Sequence, residues 1–181
     1  MNEIMPVNES PSARSNYHIA IIAASVFILD QFTKWLVLNL LEKGDEKVII
    51  NGFFKFVHWG NTGAAWSLFR GNNGVLALVA VLAFVALFLT RHHFNSNTLA
   101  GQIAFGLIFG GIAGNLTDRL LPGRHAVVDF LHFYLQRRGS GEPLDFPAFN
   151  VADSAICTGV GLIFLISWRN EQTAKPATGD K

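Results

Sequence analysis

Cysteine is almost missing from this chain. Cys157 stands alone among 181 residues, which excludes an intrachain disulfide and any cysteine-built metal cluster. Lying inside a hydrophobic run, it reads as inert packing. Charge is scarce as well: 15% of the residues are Asp, Glu, Lys or Arg, against roughly 25% in an ordinary soluble domain. The formal net charge is only +1, so there is no strongly basic surface and nucleic acid is not an expected partner. A phosphate-binding loop is missing too, because the run Gly110-Gly111-Ile112-Ala113-Gly114 has no strand before it and no Lys-Ser/Thr after it.

What the chain has is apolar length, with half its residues hydrophobic. Four runs, at residues 17–41, 74–90, 98–121 and 151–168, approach or reach the roughly 17–25 apolar residues a helix needs to cross a bilayer. Residues 1–16 are polar, rich in Pro, Ser and Asn, and read as a disordered tail; residues 169–181 form a second tail. The run that follows the first tail contains Asp30, Gln31 and Lys34 and no convincing cleavage site, so it reads as a retained span and not as a signal peptide. The third run carries Gly101, Gly106, Gly110, Gly111 and Gly114. Small residues let helix backbones approach closely in lipid, which predicts that the third span is the central helix of the bundle.

Four spans put both termini on one side, so the two long connections, residues 42–73 and 122–149, share the other. The long connections hold seven Lys and Arg against five on the side of the termini. The positive-inside rule alone would therefore put the long loops in the cytoplasm, by a small margin. The first long connection contains a hairpin signal: Val48-Ile49-Ile50, then Asn51-Gly52, then the run from Phe53 to Trp59. Its aromatics do not alternate cleanly with polar residues, and a ribbon apolar on both faces fits the membrane interface. The expected fold is an α-helical integral membrane protein, a four-transmembrane-helix bundle with a small β-hairpin or cradle and a second loop on the same side.

Charged side chains within or beside the spans carry the functional argument, because each is expensive in hydrocarbon. Asp30 and Lys34 stand four apart, the spacing of a helical ion pair, and are expected to fasten the first span to the third. Asp118 adjoins Arg119 at the exit of the third span, where an acid beside arginine reads as an ion-paired structural group. Two acids remain without such a partner. Asp129, in Val127-Val128-Asp129-Phe130, is either a loop aspartate or a functional one, and apolar flanks make the first reading uncomfortable. Asp153 opens the fourth span, with Asn150 as its N-cap and Asp153 at the third helical position. That reading is compatible with function, since a cap fixes the carboxyl in space.

Two rival constellations compete with this pair. His125, Asp129 and His132 would share one face of a helix and could hold a metal ion. The segment follows Pro122-Gly123, however, and no second-shell acid is evident, so neither metal nor cofactor is expected. Asp30, Lys34, Asp118 and Arg119 could instead form the relay of a small transporter or proton channel. A relay needs polar groups through the full depth of the membrane, and the second and fourth spans offer almost none in the half nearer the termini. A non-catalytic scaffold leaves the paired acids and the asparagines unexplained.

Five blocks in order resemble lipoprotein signal peptidase (signal peptidase II), the bacterial intramembrane aspartic peptidase family. They are Asp30-Gln31-Phe32-Thr33-Lys34, Asn61-Thr62-Gly63-Ala64-Ala65-Trp66-Ser67, the segment from Gly110 to Arg119, Val127-Val128-Asp129-Phe130, and the segment from Phe149 to Ser154. The resemblance implies that Asp129 and Asp153 are the catalytic pair and that Asn61, Gly63, Asn115, Arg119 and Asn150 line the substrate site. Asp30, Lys34 and Asp118 are left as structural polar residues. It implies a substrate, a prolipoprotein whose cysteine carries a diacylglyceryl group, cut just before that cysteine. It further implies a monomer in the bacterial inner membrane in contact with lipid, termini cytoplasmic and long loops outside, against the charge count. On this reading two close carboxylates share a proton; the ionised one activates water and the protonated one polarises the scissile carbonyl. The hairpin and residues 61–67 are expected to act as a clamp or lid over the site.

Overall fold

A computed structural model of the chain describes residues 13–63, 71–124, 126–136, 141 and 143–174. Four helices are long and apolar enough to cross a membrane: α1 (Ala13–Leu40), α2 (Asn73–Thr90), α3 (Leu99–Leu120) and α4 (Val151–Ala174). The first helix starts at Ala13, not at residue 17, and the last continues to Ala174, beyond residue 168. Hydropathy marks the hydrocarbon boundary and not the end of hydrogen bonding, so polar turns extend both helices past it. The start of α1 is tied down as well, since Ser15 Oγ donates to Ser96 O at 2.6 Å. Residues 1–12, 175–181 and the tip around Arg137-Arg138, which includes part of each expected tail, lie outside the described residues.

Helix α3 is the centre of the bundle, packed between α1 and α4 along its glycines. A Cβ added to Gly110 would lie 2.6 Å from both Ala23 O and Val26 Cβ of α1. One added to Gly111 would meet Ala152 O of α4 at 2.5 Å. The two helices therefore touch α3 backbone to backbone, an approach only glycine permits. The apolar side chains on the outward faces of α1, α2 and α4, such as Ile28, Leu82 and Phe164, are exposed, as a lipid-facing belt requires. Between α2 and α3 the chain turns through a short 3-10 helix (Arg91–Phe94) and Asn95 in the left-handed region (φ 52°); Thr98 then caps α3 by accepting from Gly101 N.

The two long connections meet in one antiparallel sheet of order β1-β2-β3-β4. Its strands are β1 (Glu46–Ile50), β2 (Phe54–Asn61), β3 (Val127–Leu135) and β4 (Leu144–Asp145). The predicted hairpin is β1 and β2, turning at Asn51-Gly52 with Gly52 at φ 76°. The second connection, expected as a loop, contributes β3 and β4. Val128 and Phe130 of β3 pack with Val37 of α1, and Leu41, Phe56 and Val151 close around them, seating the sheet on the ends of α1 and α4. One expectation falls with this arrangement. The segment holding Asp129 and His132 is a strand, so residues three apart point to opposite faces and the helical metal face does not exist; His125 lies outside the described residues. The hairpin is hydrogen-bonded to the Asp129 strand along Phe54–Phe56 and Trp59–Asn61, so it forms one sheet with that strand. Residues 64–67 of the proposed clamp lie outside the described residues.

Candidate active site

Asp129 reaches the site from β3 and Asp153 from the first turn of α4. The first turn is organised reciprocally: Asp153 N donates to Asn150 Oδ1 at 3.0 Å, and Asn150 N donates to Asp153 Oδ2 at 3.2 Å. Two helix-end donors are thus satisfied and the Asp153 carboxyl is fixed to its own backbone. Asn150, fully buried, spends its Nδ2 on Asp129 Oδ1 at 2.8 Å, with longer contacts to Asn115 Oδ1 and Val128 O. One asparagine therefore bridges the two acids.

The remaining carboxylate oxygens are held in the same way. Asn61 Nδ2 donates to Asp129 Oδ2 at 2.9 Å, and Asn115 Nδ2 donates to Asp153 Oδ1 at 2.7 Å. Asn61 comes from the end of β2, where Trp59 faces Asp129 and Asn61 faces Val127. A bulge between Phe56 and Trp59 sets that register, opposing two β2 residues to one of β3. Asn61 Oδ1 in turn accepts from Gly63 N at 2.9 Å, and Gly63 O accepts from Arg119 Nη2 at 3.1 Å. The residues predicted to line the site, Asn61, Gly63, Asn115, Arg119 and Asn150, thus belong to one hydrogen-bonded assembly with Asp129 and Asp153. Asp129 is 3% exposed. Burial, reinforced by the charge of Asp153 and opposed by the Asn61 and Asn150 hydrogen bonds, pushes its carboxyl up to about 7. A carboxyl so placed keeps a proton where an ordinary aspartate has lost it, and two such groups can share one.

Behind the pair lies a buried ion cluster. Lys34 Nζ meets Asp30 Oδ2 at 2.9 Å and Asp118 Oδ2 at 2.8 Å, all three side chains fully buried. The expected pair of Asp118 with Arg119 is corrected: Asp118 faces Lys34 and Arg124, the latter at 2.5 Å. Neighbours in sequence on a helix point about 100° apart, so the adjacent arginine turns toward Gly63 while Asp118 turns toward α1. Asp30 also accepts from Ala152 N at 3.0 Å, which fastens α1 to the start of α4 as well as to α3. Gln31 and Arg124 were not singled out from the sequence. Gln31 donates to Asp30, Asp118 and Gly114 O, and Arg124 donates to Gln31 Oε1. The sequence offered no signal for them, because Arg119 beside Asp118 already balanced the second acid. Among the described residues no three His, Cys, Asp or Glu side chains converge to hold a metal ion.

Comparison with known proteins points one way. Residues 22–169 match the family model described as signal peptidase (SPase) II. A lipoprotein signal peptidase of Geobacillus kaustophilus is 40% identical over 80% of this chain and 88% of its own. One from Aeromonas hydrophila is 41% identical over 83% of this chain and 88% of its own. A solved bacterial membrane enzyme, determined by the in meso method at 2.3 Å, superposes with a TM-score of 0.73 at 31% identity, covering 90% of this chain and 94% of its own.

Proposed function

The chain belongs to the signal peptidase II family, and from that premise we propose that Asp129 and Asp153 are its catalytic pair. It is a multi-pass membrane protease that removes signal peptides in lipoprotein maturation. The observation that carries the assignment is the bridge: Asn150 donates its side chain to Asp129 and its backbone N–H to Asp153. The ionised member of the pair takes a proton from water, which attacks the scissile carbonyl. The protonated member donates to the carbonyl oxygen as negative charge develops there. Because the substrate's cysteine carries a diacylglyceryl group, the substrate stays in the bilayer, and the acids stand where the bundle meets the sheet.

The asparagines hold the acids, their Nδ2 groups being spent on the carboxylates. Arg119 and Gly63 line the substrate site beside them, Arg119 held by its bond to Gly63 O and Gly63 by its bond to Asn61. The relay of a transporter or proton channel is not favoured: Asp30, Lys34, Asp118 and Arg124 close on one another in a single cluster. The protein sits in the inner membrane with both tails cytoplasmic and the sheet outside. The hairpin's exposed Val48, Ile49, Ile50 and Phe53 then meet the lipid interface.

Incubating purified protein with a diacylglyceryl-modified prolipoprotein tests the reading. Wild type releases the signal peptide; Asp129→Asn and Asp153→Asn each abolish release while inserting and purifying normally. Substantial activity in either variant would remove that residue from the pair.

A further inference from the structure

The three asparagines share a feature that their donations to the acids do not by themselves explain: each has its amide oxygen pinned by a separate donor. Gly63 N holds Asn61 Oδ1, and Asp153 N holds Asn150 Oδ1. The donor on Asn115 Oδ1 is a charged side chain, Lys34 Nζ, at 2.9 Å. An amide with its oxygen so held can only turn its NH2 the other way, and for Asn115 that way is Asp153 Oδ1. Asn150 Nδ2 also reaches Asn115 Oδ1, but at 3.2 Å, and it is closer to Asp129. The charge-assisted bond from Lys34 is the stronger of the two.

An ammonium has three N–H donors, and those of Lys34 are matched by three acceptors: Asp30, Asp118 and Asn115. Neutralising the two acids needs only the charges, and Arg124 already serves Asp118. The third bond leads out of the ion cluster into the active site. We infer that Lys34 is a positioning residue for the reaction, acting through Asn115 by fixing the amide that holds Asp153. This deepens the assignment of Asp129 and Asp153 as the catalytic pair and rests on it.

The test is a cycle built on a charge-compensated variant. Asp30→Asn with Lys34→Met removes one charge of each sign and leaves the Asp118–Arg124 pair intact. Compensation matters because the charges of Lys34 and Asp30 themselves reach Asp153, beside those of Asp129 on β3 and Arg119 on α3, and Lys34 also reaches Asp129. With wild type as the reference, this double variant should lower kcat about 10–100-fold per mole of folded protein, through a misplaced catalytic group, and leave KM within about threefold. In an Asn115→Ala background the same pair of substitutions should lower kcat less than about twofold, since the amide it acts through is gone. Equal losses in both backgrounds would show that Lys34 does not act through Asn115 and overturn the inference. So would an unchanged kcat in the first. If the methionine variant does not fold, Lys34→Gln, whose amide ends one bond short of the ammonium position, runs the same cycle with the same expectations. Wild type that cleaves no prolipoprotein would instead defeat the catalytic assignment, so the two failures are distinguishable.

Discussion

Asp129 carries the sharpest pH dependence. Its carboxyl is pushed from an ordinary 3.8 to about 7 by burial and the nearby Asp153 charge. Between those values the folded protein binds a proton that the unfolded chain has lost, so this group's contribution to stability is full below about pH 4. It fades as pH rises through about 7. Thermal unfolding of wild type and Asp129→Asn from pH 4 to 8 should show the wild type losing stability relative to the variant. A constant difference would show that the carboxyl is not shifted. In the rate profile, kcat/KM should decline above about pH 7 as the pair gives up its shared proton. The two acids were legible as residues because neither has a cation beside it in sequence. Their donors were visible only as asparagines of unstated direction, since nothing in a linear chain says which end of an amide faces a carboxylate.

Among the elements, α3 was the most readable and β3 the least. Five glycines on one apolar run announce close packing, and a Cβ at Gly110 would press on the α1 backbone and on Val26 together. Backbone cannot move aside as a flexible side chain can, so Gly110→Ala should cost about 1–3 kcal/mol, as overpacking does. A lowered unfolding temperature with the purified protein still helical is the expected result, and an unchanged one would deny the contact. Strand β3 was obscured because the apolar run Val127 to Leu135 suits helix and strand alike, and Asp129 interrupts either pattern. The bulge hid β2 in a similar way. It brings Phe56 and Trp59, an odd number of residues apart, into successive pairings with Leu131 and Asp129, so strict alternation fails along the sequence. The aromatic ribbon was therefore recognisable as a hairpin but not as half of a sheet.

For the whole molecule, counting spans placed both long connections on one side, and the single sheet they build agrees with that count. Orientation is a separate matter, and the arginine and lysine balance opposes the orientation proposed above. A reporter active only in the cytoplasm, fused after residue 181, should be active, and one placed in the hairpin turn at Asn51-Gly52 should not. The reverse pattern would support the charge count. The ion cluster was half legible: the spacing of Asp30 and Lys34 shows a pair, but only the folded bundle shows that pair gripping α3 and α4 together.

That grip has a consequence in time. The ribosome delivers α1 first, with Asp30 and Lys34 already four residues apart and able to neutralise one another, so the segment can enter lipid before any partner exists. Asp118 arrives later with α3, and the N–H of Ala152 later still with α4. Asn150 and Asp153 come with that same last helix. A nascent or truncated chain therefore holds Asp129 without its bridge and without its companion. On the proposed pairing, the segment that closes the ion cluster is also the one that completes the site, so assembling the bundle and assembling the active site are one event.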